Sequence, residues 1–433
     1  MDFLRAILVQ SREPGENDLL EEFQALAETA GYTIVEAIDI VGRKSARFAM
    51  SSGKVEEVAT HIELNKPDVV LFSPGLKSSQ LYRLMDKWSI EVRDRNQLIL
   101  EIFSRHARTP QAKLQIEQAR LEYELPFLRH QLRVQLQSEH TGARPVGEQV
   151  GAGEDLLNLR TMELRRRIAN IRSKLEKISD IQELKRKRRS KIGFLEVTLT
   201  GYTNAGKSTL HRALTGSEAE VADQLFTTLS TKTRRIDIPG RQVVVSDSVG
   251  FISDLPTELL EAFNTTLMEI GNADVIVLVV DATDSVDEMD RKVRACISTF
   301  QEIGVNGIPV VVALNKTDLI EDISVRERMT LLQGVGQTVV PISAREETNI
   351  EELVQEVRRS FPALYRYHIT IPYESSGMSM VSWLHENGYV ESEDFGEDSI
   401  FVDARLSFNT AQRLFKMLPK GSVERLDEIA PTE

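Results

Sequence analysis

Nine consecutive residues restrict the fold of this chain more than any other stretch: GYTNAGKST, Gly201 to Thr209, set between an apolar run at Phe194 to Thr200 and a helical pattern. The spacing is GxxxxGK[ST], with Gly201, Gly206, Lys207 and Ser208 at the defining positions. A strand that ends in such a turn and re-enters as a helix aims several backbone N–H groups at one point, a cradle for phosphate oxygens. Such a unit sits in a parallel sheet with helical crossovers. Apolar runs at Val243 to Asp247, Val275 to Val280, Pro309 to Leu314 and Val339 to Ile342, most of them separated by helix-length segments, supply the remaining strands. Within the loop, Lys207 is expected to bridge the β and γ charges of a triphosphate, and the Ser208 hydroxyl to ligate Mg²⁺.

The base is read elsewhere. Asn315-Lys316-Thr317-Asp318 follows the apolar run PVVVAL. An aspartate there accepts hydrogen bonds from guanine N1–H and the 2-amino group, both of which adenine lacks, so GTP is expected over ATP. The Lys316 stem would lie over the base plane, and a backbone N–H from Ser343-Ala344-Arg345 would reach guanine O6. Asp247, in the stretch DSVGF, should hold Mg²⁺ through a water, and Gly250 should offer its N–H to the γ-phosphate. Thr228, in LFTTLSTKTRR, should complete the metal shell only with the triphosphate bound, so the loops around Thr228 and Gly250 relax on hydrolysis.

The expected nucleotide contacts are Gly201, Tyr202, Thr203, Asn204, Ala205, Gly206, Lys207 and Ser208 in the loop, and Phe226, Thr227, Thr228, Leu229 and Ser230 around the switch threonine. Asp247, Ser248, Val249, Gly250, Asn315, Lys316, Thr317, Asp318, Ser343, Ala344 and Arg345 complete the set. Lys207, Thr228 and Gly250 carry the catalytic expectation; Ser208, Thr228 and, through water, Asp247 carry the metal. Phe251 stands where Ras-like GTPases have the glutamine that orients the attacking water, and phenylalanine cannot hydrogen-bond to water. Slow intrinsic turnover is predicted, with the missing positioning supplied by another group, a bound ion or a partner. Asn204 can place a side-chain carbonyl near the phosphates, where K⁺ would sit; closing the loop accounts for the same residue equally well.

Outside this region the chain is electrostatically divided. The total charge is −13, yet Arg160 to Lys191 carries thirteen Lys/Arg against four Asp/Glu, while Glu386 to Glu433 carries eleven acids against five bases. A polyanion should therefore meet the middle of the chain. Leucines at 114, 121, 125, 128, 132 and 136 form one helical stripe, with Pro126 expected to kink it, and Leu164, Ile168, Ile171, Leu175 and Ile178 form a second. The two predict an antiparallel hairpin arm joined by the glycine-rich segment Gly142 to Gly153, which shows no helical periodicity and serves either as a plain connector or as a tip that orders on a partner. Alternating strand and helix patterns before Thr109 predict a small parallel α/β domain; Gly53-Lys54 within it lacks the rest of a phosphate loop and reads as a turn opening a helix.

The fold class is therefore α/β and multidomain: an N-terminal α/β domain at 1–108, a helical arm at 109–190, a P-loop domain at 191–363 and a small α+β domain at 364–433. The longest uninterrupted aliphatic run, Val275 to Val280, is six residues against the roughly 18 needed to span a bilayer, and the N-terminus lacks a signal-peptide pattern. A single cysteine, Cys296, and scattered histidines suggest neither an internal disulfide nor zinc. A cytoplasmic monomer that does not engage a membrane is expected.

With these motifs in view, the chain resembles the HflX family of ribosome-associated GTPases over most of its length. GYTNAGKST, LFTTLSTKTRR, DSVGFI and NKTD match, and the stretch GAGEDLLNLRTMELRRRI resembles the family's linker and basic helix. Ala152 replaces the family's proline, and Ser230 and Thr231 replace its Asp-Pro. The resemblance implies a GTPase that binds the large ribosomal subunit through the N-terminal domain and arm and acts in ribosome splitting, rescue or biogenesis. Family members are also linked to ATP binding by the N-terminal region, for which no motif is visible. Arg165, Arg166, Arg167, Arg172 and Lys174 are the expected rRNA contacts, suited to backbone rather than base recognition. The alternative is a GTP-regulated scaffold that binds a protein through the helical seam.

Overall fold

The computed structural model describes residues 4–107, 109–141, 150–192, 194–216, 232–238, 241–247, 250–252, 270–305, 307–361, 364–373, 377–419 and 421–428. They pack as two compact units, one up to Ser179 and the other from Asp180 onward.

The first unit holds a parallel sheet of β1 (Arg5–Arg12), β2 (Thr33–Val41), β3 (Val69–Ser73) and β4 (Glu91–Asp94) in the order β2-β1-β3-β4. β1 and β3 are central and read as nearly continuous apolar runs, as strands covered on both faces must. Helices α1 (Leu20–Thr29), α2 (Ser52–Asn65), α3 (Ser78–Trp88) and α4 (Arg95–His106) complete the layers. Gly53 and Lys54 lie in the first turn of α2. β4 was not predicted: its four residues alternate in burial, too short a run to register as a pattern.

Two long helices follow, α5 (Pro110–Thr141), which continues past Pro126, and α6 (Val150–Ile192). Leu121, Ile168, Ile171 and Leu175 pack together, flanked by Leu114, Leu125 and Leu164, so the two predicted stripes meet each other. α6 begins earlier than the glycine pattern suggested, with Gly151 and Gly153 inside it. Each glycine costs about 1 kcal/mol in a helix interior, and a helix of 43 residues tolerates that. The rest of the expected loop, 142–149, lies outside the described residues.

In the second unit, a six-stranded sheet has the order β10-β9-β8-β5-β7-β6. Its strands are β5 (Leu195–Gly201), β6 (Lys232–Ile238), β7 (Arg241–Asp247), β8 (Val275–Asp281), β9 (Val310–Asn315) and β10 (Thr338–Pro341). All neighbours are parallel except β6, which runs against β7. That edge strand, KTRRIDI, went unpredicted because charge masks its alternation. The helices are α7 (Lys207–Thr215), α8 (Val286–Glu302), α9 (Asp322–Leu331) and α10 (Ile350–Ser360). A β-α-β-β-α-β unit ends the chain: β11 (Leu364–Pro372), α11 (Gly377–Asn387), β12 (Tyr389–Phe395), β13 (Ser399–Ser407), α12 (Phe408–Met417) and β14 (Val423–Glu428). Its antiparallel sheet has the order β12-β13-β11-β14, the split arrangement of a ferredoxin-like unit. Among the described residues no helix is long and apolar enough to cross a membrane.

Candidate active site

The carboxyl ends of β5, β7, β8 and β9 converge on the loop between β5 and α7, where ligands bind in open α/β sheets. Gly206 sits at φ +93°, and a Cβ there would lie 2.2 Å from Asn315 Nδ2. The glycine is required because Asn315 reaches into the loop: its Nδ2 donates to the Ala205 carbonyl at 2.9 Å, and its Oδ1 accepts the Ala344 N–H at 2.9 Å. One buried side chain thus ties the phosphate loop, NKTD and SAR together. Thr317 adds a hydroxyl bond to the Ile342 carbonyl at 2.9 Å, and Asp318 is exposed on the short turn Thr317–Leu319.

One backbone N–H of Ser343-Ala344-Arg345 is expected to reach guanine O6, and the structure shows where two of the three point. The Ser343 N–H donates to the Thr348 carbonyl and the Ala344 N–H to Asn315, so both are engaged within the protein. Such engagement is invisible in a tripeptide.

At the phosphate end, Lys207 is buried and donates from Nζ to the Tyr202 carbonyl at 2.7 Å. Burial lowers its pKa to about 8, against the opposing pull of Asp247. Ser208 Oγ donates to Asp247 Oδ2 at 3.0 Å. Asp247 Oδ1 is buried with no protein partner among the described residues. A hydroxyl beside an unmatched carboxylate oxygen fits a hard divalent cation such as Mg²⁺. Among the described residues no cluster of three or more His, Cys, Asp or Glu could hold a metal. Asn204 has an exposed side chain and a left-handed backbone, φ +61°.

Gly250 lies against the same lysine: a Cβ would meet Lys207 Nζ at 2.8 Å and Thr203 Cα at 3.1 Å. Phe251 does not face the phosphates. Its ring is 1% exposed and meets Phe300 edge-on at 5.8 Å, while its N–H donates to the Gly201 carbonyl and its carbonyl accepts the Thr203 N–H. The residue pins the DSVGF segment to the phosphate loop. Phe226, Thr227, Thr228, Leu229, Ser230, Ser248 and Val249 lie outside the described residues.

Two features escaped the motif pattern. The Tyr202 ring lies near Arg291 and Lys292 of α8, at 5.5 and 5.4 Å, and Lys316 Nζ pairs with Asp281 Oδ2 at 2.6 Å. Both join segments distant in sequence, and only the Asp ending an apolar strand gave any hint.

The expected RNA contacts belong to the other unit, and their side chains are exposed. Arg167 Nε donates to Glu117 at 2.8 Å and Arg172 Nη2 to Glu122 at 2.7 Å, so these two are tied to α5. Arg165, Arg166 and Lys174 form no ion pair among the described residues.

Three family models match in succession: "GTP-binding GTPase N-terminal" at residues 17–104, "GTP-binding GTPase Middle Region" at 106–189 and "50S ribosome-binding GTPase" at 196–316. The GTPase HflX of Thermococcus kodakarensis is 35% identical over 434 residues, covering 98% of this chain and 96% of the relative. The GTPase HflX of Escherichia coli is 32% identical, covering 96% of each. A solved structure, SsGBP in complex with GDP, is 28% identical with a TM-score of 0.47, covering 82% of this chain and 98% of that one.

Proposed function

Because the chain belongs to the HflX family and is a P-loop GTPase, we propose that it acts on the large ribosomal subunit, engaging it with GTP bound and letting go after hydrolysis. The observation that carries the reading is the match of residues 196–316 to a family described as 50S ribosome-binding. The basic excess of α6 supports it, since a high density of arginine and lysine suits a phosphate backbone. The scaffold alternative would have to use apolar surface outside the part of the seam where Leu121, Ile168, Ile171 and Leu175 pack on one another. A cytoplasmic monomer, associating with ribosomes in part of its cycle, fits this role.

At the nucleotide, Lys207 would turn from the Tyr202 carbonyl toward the β and γ phosphates, and the amides of 201–208 would hold their oxygens. Ser208 and Thr228 would hold Mg²⁺ directly and Asp247 through water; the ion, when bound, neutralises charge between the β and γ phosphates. The Gly250 N–H would meet the γ-phosphate, and Asp318 would read guanine N1–H and the 2-amino group, with the Arg345 N–H left as the loop's donor to O6. With the Phe251 ring in the core, water positioning falls to another group: the partner, or K⁺ held near Asn204. Turnover should be slow alone and faster with large subunits.

Sedimentation with separated ribosomal subunits tests this. The protein should travel with the large subunit in a non-hydrolysable GTP analogue and leave it in GDP. No co-sedimentation in either nucleotide, or none that favours the large subunit, overturns the reading.

A further inference from the structure

Asp281, the last residue of β8, lies outside every nucleotide-binding motif. It faces Asn315 across the β8–β9 ladder, and the Asn315 carbonyl accepts the Ala282 N–H at 2.8 Å. Its two carboxylate oxygens have separate roles. Oδ1 accepts the Thr283 N–H at 2.9 Å and the Thr283 hydroxyl at 2.7 Å, which shapes the turn after the strand. Oδ2 takes Lys316 Nζ at 2.6 Å, with side chains 12% and 26% exposed. The neighbouring cation, Lys292, is held by Asp284 at 2.7 Å, so Lys316 is the cation that Asp281 serves.

Lys316 needs such a tether. Its backbone is left-handed at φ +66°, and a free lysine would sample many rotamers at a cost in order on binding. A stem fixed at both ends is a flat apolar surface beside Asp318. We propose that Asp281 is a positioning residue for guanine recognition, holding Lys316 by its ammonium so that the lysine stem is preset as one wall of the base pocket. The inference rests on the reading of Asn315 to Asp318 as the guanine site.

Asp281→Asn is the discriminating change, because the amide oxygen can still accept from Thr283 while the ion pair is lost. In the full-length protein, titration with GDP should show affinity about tenfold weaker, a size typical for one coupled contact in a network. In turnover the KM for GTP should rise by a similar factor and kcat should change less than twofold, since nothing at the γ-phosphate has moved. Lys316→Met keeps an apolar stem and removes the ammonium, and should weaken GDP to the same degree. Asp281→Asn placed on Lys316→Met should then add less than twofold. Fully additive losses, or Asp281→Asn binding GDP like the wild type, would overturn the proposal. If Asp281→Asn does not fold, Lys316→Met decides alone, and unchanged GDP affinity overturns it. Asp318→Asn is the arm that separates the two levels: if it leaves guanine preference intact, the base-site reading fails and this inference with it, whereas a lost preference beside an inert Asp281→Asn sinks the inference alone.

Discussion

The nucleotide end of the six-stranded sheet and the helical hairpin both use cationic side chains, and they organise them oppositely. Around the phosphate loop three key side chains have designated neighbours: Lys207 the Tyr202 carbonyl, Lys316 Asp281, and Asn315 two loops at once. On α6 the five cations expected to meet RNA are exposed, two of them paired with α5 and three without acidic partners among the described residues. A site that must distinguish one base and one transition state requires buried, mutually fixed groups. A surface that meets a phosphate backbone requires only charge density. Single substitutions should therefore have steep effects in the first region and shallow ones in the second.

The largest loss should follow Lys207→Ala, which removes the charge proposed to meet the β and γ phosphates. We expect kcat/KM for GTP to fall by about a thousandfold or more, measured by phosphate release. Near-normal hydrolysis by the pure variant would mean that the buried lysine is only structural.

Next in size is the base. Asp318→Asn should reverse the preference between guanosine and xanthosine triphosphates by on the order of a hundredfold or more, because the amide can donate to the new carbonyl and loses an acceptor for the 2-amino group. Competition binding would read this directly, and an unchanged preference would remove Asp318 from the pocket.

The pH dependence should be milder. With its pKa lowered to about 8 by burial, Lys207 in the free protein loses its proton as pH rises through that value, and with it the charge that binds the triphosphate. Hence kcat/KM should be level below about pH 8 and decline about tenfold per unit above it. The same depression makes the unfolded chain bind more protons than the folded one between about pH 8 and 10.5, so this lysine's contribution to stability grows with pH there while activity falls. A flat kcat/KM profile to pH 9.5 would show that Lys207 keeps its proton in the free protein and that burial does not set its charge.

The two regions were also unequally legible in the sequence. Contiguous motifs, such as GYTNAGKST and NKTD, can be read because their pattern is local. Which partner each residue takes is set by tertiary approach: the Ala344 N–H going to Asn315, the Phe251 ring turning into the core, Asp281 finding Lys316. The stripes on α5 and α6 were legible for a different reason, since helical periodicity marks a buried face, but the ion pairs across the hairpin join residues 50 positions apart and leave no local pattern. Short or charged strands, β4 and β6, disappear because periodicity needs length.

The smallest effects should come from single arginines of the hairpin, and there the structure changes what is expected. Three consecutive arginines, 165 to 167, suggest three equal phosphate contacts. Arg167, however, already lies against Glu117, and moving it to a phosphate would leave that carboxylate unpaired. Arg166 carries no such tie among the described residues. If the large subunit is gripped here, Arg166→Gln should flatten the log–log salt dependence of binding by about 0.7 to 0.9, the value of one released counterion. Arg167→Gln should flatten it by clearly less and instead cost the hairpin up to about 1 kcal/mol, as the loss of an exposed ion pair does. Salt titrations of subunit binding for the two variants, with thermal unfolding alongside, would separate these outcomes. Equal slope changes would mean that Glu117 releases its arginine when RNA arrives, and no change in either would place the ribosomal grip elsewhere on the chain.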